Sequence, residues 1–167
     1  MRYAYLPLLC LLALPCVPRA EAGEVDFGLG IGLVDSNRGG ALDGGWDLQL
    51  GYELRQTETW HVGAQLALFR GITSQSEIVD ENDLSFSSTG LYLTARPKGW
   101  WLQFKGGAVQ ADYHSLSRDE HNLGYGLGVG VVLGDGAFRL HLLDYQRLTF
   151  GADSFNQYTV SFAVLAN

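Results

Sequence analysis

The chain has 167 residues, a formal net charge of −7 and 17% charged residues, against roughly 25% in a typical soluble domain. Lys98 and Lys105 are its only lysines, which excludes the basic surface a nucleic-acid partner requires. Its only cysteines, Cys10 and Cys16, lie in an apolar leader, so beyond that leader there is no disulfide framework, cysteine nucleophile or cysteine metal ligand.

The leader carries a basic Arg2, an apolar stretch Leu6–Val17 broken by Pro7 and Pro15, and the small-residue pattern Ala20-Glu21-Ala22. It reads as a secretory signal peptide, residues 1–22, too short and interrupted for a membrane anchor. Residues 23–167 then form one domain. Nothing in that domain is apolar over eighteen consecutive residues, so it enters a membrane only as a closed barrel, with every backbone group paired.

Eight segments alternate with the period of two that marks strands. The first, Glu24–Val34, sets Phe27, Leu29 and Ile31 against Gly28, Gly30 and Gly32. The second, Gly45–Leu54, sets Trp46, Leu48, Leu50 and Tyr52 against Asp47, Gln49, Gly51 and Glu53. The third, Trp60–Phe69, alternates Trp60, Val62 and Leu66 with His61, Gln65 and Phe69; the fourth, Ser85–Ala95, alternates Leu91 and Leu93 with Gly90, Tyr92 and Thr94. In the fifth, Trp100–Ala111, Trp100, Leu102 and Phe104 oppose Gln103, Lys105 and Gly107. The sixth and seventh form a hairpin, Asn122–Leu143, around Gly134-Asp135-Gly136. Leu123, Tyr125, Leu127 and Val129 alternate with bare glycines, followed by Phe138, Leu140 and Leu142 against Arg139 and His141. The eighth, Gln157–Ala166, sets Tyr158, Val160, Phe162 and Val164 against Thr159, Ser161 and Ala163.

A soluble sheet shows water a face of Lys, Glu and Thr, whereas these second faces are mostly glycine and small residues. The pattern points the apolar face outward into lipid and the glycine face into a crowded lumen. The links between strands also alternate: Arg55–Thr59, Arg96–Gly99 and Gly134–Gly136 are tight, while the other four read as longer polar loops, such as Asp35–Asp43 and Gly71–Leu84. Acids including Asp35, Asp43, Glu77, Asp80, Glu81, Asp83, Asp112, Asp119, Glu120, Asp144 and Asp153 fall in those loops and strand tips, giving an acidic outer side.

Taken together the chain resembles the small eight-stranded outer-membrane barrels, the OmpA/OmpX-like transmembrane barrel class. The hairpin GYGLGVGVVLGDGAFRLHLL is much like the penultimate hairpin of those proteins, and the pattern covers all of residues 23–167. The resemblance implies an all-β, antiparallel up-and-down transmembrane barrel in the bacterial outer membrane. Its expected partners are membrane lipids and lipopolysaccharide, with barrel-assembly machinery during biogenesis, and its expected state is a monomer. Chains of this class commonly end on an aromatic residue that aids insertion, whereas this one runs from Phe162 to Asn167 without one.

On this reading Asp47, Gln49, Glu53, His61, Gln65, Gln103, Lys105, Arg139 and His141 form a polar lumen network of balanced charge. Trp46, Tyr125 and Tyr158 form an aromatic girdle towards the longer loops; Tyr52, Trp60, Trp100 and Phe138 form one beside the tight turns. A narrow eight-stranded barrel is filled by its side chains, so little or no conductance is expected. The residues most like an enzyme site are His114, Ser115 and Ser117 with Glu120 and His121, which invites comparison with lipid A deacylase barrels. They lack the His-x-Ser spacing of that family and read as an ordinary solvated loop. His61 and His141 read as lumen hydrogen-bonding groups rather than zinc ligands, and the acidic segment Ser76–Asp83 lacks calcium-loop spacing. No cofactor or metal is expected. The resulting expectation is a non-enzymatic barrel with a structural or surface-interaction role. Its alternatives are a lipid-modifying barrel enzyme and a soluble, lipocalin-like periplasmic barrel.

Overall fold

The computed structural model describes residues 23–36, 41–80, 82–116, 118–134 and 138–166; the expected signal peptide, Ser117 and most of the Gly134–Gly136 turn lie outside them. Eight strands follow in order: β1 Val25–Ser36, β2 Leu42–Gln56, β3 Trp60–Gly71, β4 Ser85–Pro97, β5 Leu102–Ser115, β6 Arg118–Leu133, β7 Phe138–Phe150 and β8 Asp153–Ala166. Each pairs antiparallel with the next, and β1 pairs with β8, closing the barrel.

Alternation produces this architecture because successive side chains of a strand point to opposite faces. Along β1, Phe27, Leu29, Ile31 and Leu33 are 50–73% exposed, while Gly28, Gly30 and Gly32 face in among β2 and β8 side chains. The same outward apolar row recurs as Leu50, Leu66, Leu93, Phe104, Leu127 and Val160. A continuous apolar exterior is the inverse of a soluble barrel.

The structure revises the sequence reading in two places. Two of the four expected long loops are tight turns. Only Leu116 and Ser117 separate β5 from β6, and only Gly151 and Ala152 separate β7 from β8, with Gly151 at φ +61°. The sequence between continues as strand, so β5 to β8 run 14, 16, 13 and 14 residues, where about 9–11 suffice to cross a bilayer. The surplus builds a tall rim at one end. There the outward row turns polar, with exposed Gln110, Asp112, His121 and Arg147. The β3–β4 link remains long. It contains a short 3-10 turn, Gln75–Glu77, and folds back on β2, where Leu42 N–H donates to the Asn82 carbonyl at 2.8 Å.

The second revision is one of phase. Leu142 and Leu143 both face outward, 50% and 48% exposed, where the β7–β8 register shifts between His141 and Asp144. This bulge inverts the inward set of β7 from Arg139 and His141 to Asp144, Gln146, Leu148 and Phe150. Asp144, expected in an outer loop, therefore lies inside the barrel. Asp43 and Asp153, also expected among the outer acids, are buried. Trp100 sits in the turn before β5, not within the strand.

Among the described residues the apolar core is a cluster inside the rim. Phe69, Phe86, Tyr113, Phe150 and Phe155, from five different strands, pack under Leu84 and Val34. Phe155 lies 4.9 Å from Phe86 and 4.7 Å from Tyr113 between ring centroids, within the range where aromatic pairs add about 0.5–1.5 kcal/mol beyond burial.

Candidate functional site

The barrel lumen gathers the polar residues at two levels. In the middle, Asp47 and Gln49 of β2 are fully buried; Gln49 donates to Asp47 at 2.5 Å, and Gln65 of β3 donates to Gln49 at 2.7 Å. Opposite them Lys105 of β5 forms a buried ion pair with Asp144 of β7, and its ammonium stands 5.2 Å from the Tyr92 ring centroid. Between β5 and β7 the intervening strand β6 presents Gly128 and Gly130. A Cβ on Gly128 would lie 3.1 Å from the Lys105 stem and 2.6 Å from the Tyr145 carbonyl oxygen. Bare backbone here leaves room for the lysine to cross β6 and reach its partner.

Towards the end opposite the rim, the tight-turn end of the β2–β3, β4–β5 and β6–β7 links, the contacts are more open. Arg139 donates to Glu24 at 2.8 Å and to Asp26 at 3.2 Å, tying β7 to the first residues of the barrel. His61 Nδ1 is 3.2 Å from Glu53. Gln103 and His141 line, with Asp26, Glu53, His61 and Arg139, a small cavity of about 40 Å³. The nine expected lumen residues thus divide into the central Asp47, Gln49, Gln65 and Lys105, and the lower Glu53, His61, Gln103, Arg139 and His141. Among the described residues no three His, Cys, Asp or Glu side chains gather as metal ligands.

Sequence reasoning set Tyr92 and Phe69 on the inward faces of their strands but missed Asp26, Asp144 and Gln146 as lumen members, and it did not foresee that Phe69 joins an aromatic cluster above them. Asp26 was visible as an even-numbered partner of Gly28 and Gly30. Asp144 and Gln146 were hidden by the bulge, whose only sequence signal is the doublet Leu142-Leu143.

Above the aromatic cluster, Asp43 accepts from the backbone N–H of Phe86 at 2.8 Å and of Thr73 at 3.2 Å, fixing the long link over the barrel mouth. The Tyr113 hydroxyl lies 2.8 Å from Asp153 and 3.1 Å from Glu120. The seven aromatics expected as girdles, Trp46, Tyr52, Trp60, Trp100, Tyr125, Phe138 and Tyr158, are 40–62% exposed on the outer wall. Tyr145 and Phe162 extend them, packing at 5.3 Å against Tyr158 and Phe138 respectively.

The residues that most resembled a hydrolase site are divided by the barrel wall rather than gathered. Glu120 turns inward to Tyr113 and Asn122. His121 lies on the outer wall, paired with Asp112 and 3.3 Å from Gln110. His114 stands 3.8 Å from Asp119, beyond hydrogen-bond reach. A Ser–His–acid relay needs its members in one continuous line of hydrogen bonds, and Glu120 is on the wrong face for either imidazole.

Residues 6–165 match the family model described as outer membrane protein beta-barrel domain. Among solved structures the chain is similar to Ail, the attachment invasion locus protein of Yersinia pestis, at 18% identity and a TM-score of 0.48, over 87% of this chain and 100% of that one. It is similar also to Neisserial surface protein A, at 13% identity and a TM-score of 0.49, over 88% and 99%. No curated protein matches the sequence.

Proposed function

The chain belongs to the outer membrane protein beta-barrel domain family, and from that premise we propose a sealed, non-enzymatic barrel whose tall rim is its working surface on the outer membrane. The observation that carries this reading is the state of the lumen. The central polar layer is closed by the Lys105–Asp144 pair and its amide neighbours, and the rim is filled by Phe69, Phe86, Tyr113, Phe150 and Phe155. A pore needs a continuous wet path, and a lumen enzyme needs a pocket. The central ion pair with its amide neighbours and the aromatic rim interrupt such a path, and the cavity beside Gln103 and His141 holds about 40 Å³, far below the volume of a ligand pocket.

In this reading the β2–β3, β4–β5 and β6–β7 links, with the start of β1 and the end of β8, face the periplasm, and the end that carries the long β3–β4 link faces outward, as longer loops do in bacterial barrels. The rim then stands outside, presenting Arg70, Asp112, His121 and Arg147 at the level of lipopolysaccharide head groups. The protein acts as a monomer, inserted by the barrel-assembly machinery. The test is the lipid A of cells with and without the protein, compared by mass spectrometry and repeated with His114→Ala. Identical acylation in all three is expected. An acyl chain lost only when His114 is present would replace the structural role with an enzymatic one.

A further inference from the structure

We infer a phospholipid site on the outer wall at the tight-turn end, with phosphatidylethanolamine as its occupant. A groove of about 490 Å³ runs between the β2–β3 and β4–β5 turns, lined by Glu58, Trp60, Lys98, Trp100, Leu102 and Phe104. Its frame is built rather than incidental. Thr57 closes the first turn, its hydroxyl accepting from Trp60 N–H at 2.9 Å. Lys98 N–H donates to the Thr59 carbonyl at 2.9 Å, binding the second turn to the first. Trp60 and Pro97 are register partners across the β3–β4 ladder.

The lining is graded in polarity. Phe104 and Leu102 belong to the lipid-facing row of β5, and Trp60 and Trp100 follow at 40% and 62% exposure. At the end furthest from the bilayer centre stand Glu58 and Lys98, both exposed. Among the described residues neither side chain has a hydrogen-bond or ion-pair partner. One free anion and one free cation at the mouth of one groove complement a head group that also carries both signs. The Lys98 ammonium suits the phosphate, and the Glu58 carboxylate suits a primary ammonium that can donate to it. The indole rings lie at head-group depth, where amphipathic aromatics settle, and Phe104 meets the acyl chain. A lipid with phosphate alone leaves Glu58 facing like charge, and a quaternary ammonium has no proton to donate.

That the groove faces the inner leaflet rests on the orientation proposed above; the head-group preference does not. The test is native mass spectrometry of the intact barrel in micelles holding equal amounts of phosphatidylethanolamine, phosphatidylglycerol and phosphatidylcholine with identical acyl chains. Heat-modifiable gel mobility confirms that each variant is folded. Phosphatidylethanolamine is expected to be retained above the other two. Lys98→Gln should lower its retention roughly two- to fivefold, the yield of one exposed ion pair, and Glu58→Gln should abolish the discrimination among lipids. Equal retention of all three, a preference for phosphatidylglycerol, or an ethanolamine preference untouched by both variants would overturn the site.

Discussion

Lys105 on β5 and Asp144 on β7 form an ion pair across the width of β6, with side chains 1% and 5% exposed. Two local features make this contact possible. Gly128 and Gly130 leave the intervening strand bare, and the outward pair Leu142 and Leu143 turns Asp144 into the lumen. Together they place a buried cation opposite a buried anion inside the barrel.

Lys105→Met is therefore expected to destabilise the barrel by about 3–5 kcal/mol, because it strands the Asp144 carboxylate without its partner. The double variant Lys105→Met with Asp144→Leu should lie closer to the wild type than the single one does. Urea unfolding of the bilayer-folded protein, followed by tryptophan fluorescence, measures both. A single variant as stable as the wild type would remove the ion pair from the account of the lumen.

Gly128 and Gly130 of β6 should respond differently to the same methyl group. At Gly128 an added Cβ meets the Tyr145 carbonyl oxygen at 2.6 Å, a backbone atom that cannot swing aside; at Gly130 the nearest atom is 3.3 Å away. Gly128→Ala is expected to cost about 1–3 kcal/mol by overpacking, and Gly130→Ala clearly less. The same unfolding titration orders them, and a reversed order would contradict the crossing of Lys105 over Gly128.

The division into strands was legible in the sequence because an apolar row every second residue is strong in β1, β2 and β6, where Gly or a lone polar residue marks the other face. What was hidden follows from the same rule. Beyond Ala111 and Leu143 both faces of the chain are mixed: Tyr113, Phe150 and Phe155 point inward while Asp112, Arg147 and Asn156 point outward. An apolar-in, polar-out strand next to an apolar-out strand looks like a loss of periodicity, and so it read as loop. The Leu142-Leu143 bulge compounded this by shifting the phase. Within the lumen, the charged residues on regular strands were visible, whereas Asp144 required knowledge of the bulge and Asp43 required the fold of the β3–β4 link.

Leu127 is 60% exposed and Val129 36%, in the middle of the outward row of β6. Leu127→Arg or Val129→Arg is expected to cost about 2–4 kcal/mol when the site lies near the bilayer midplane, measured as reversible folding into lipid vesicles. Unchanged folding of both variants would count against lipid contact on this face.

Asp43 holds the long link to the barrel through the amides of Phe86 and Thr73. Asp43→Ala leaves the buried Phe86 N–H unpaired, a loss of about 1–3 kcal/mol. It should show as faster hydrogen exchange at Thr73 and Phe86, with central strands unaffected. Asp112→Ala, on the exposed rim wall, is expected to stay within about 0.5 kcal/mol of the wild type. Equal effects from the two substitutions would mean that Asp43 does not anchor the link.

Conductance across planar bilayers tests the sealed lumen most directly, using protein whose folding is verified by heat-modifiable mobility. The expected trace stays at the baseline of the protein-free bilayer, since the Lys105–Asp144 layer and the aromatic rim both interrupt the path. Discrete, reproducible open steps that scale with the amount of folded protein would contradict it.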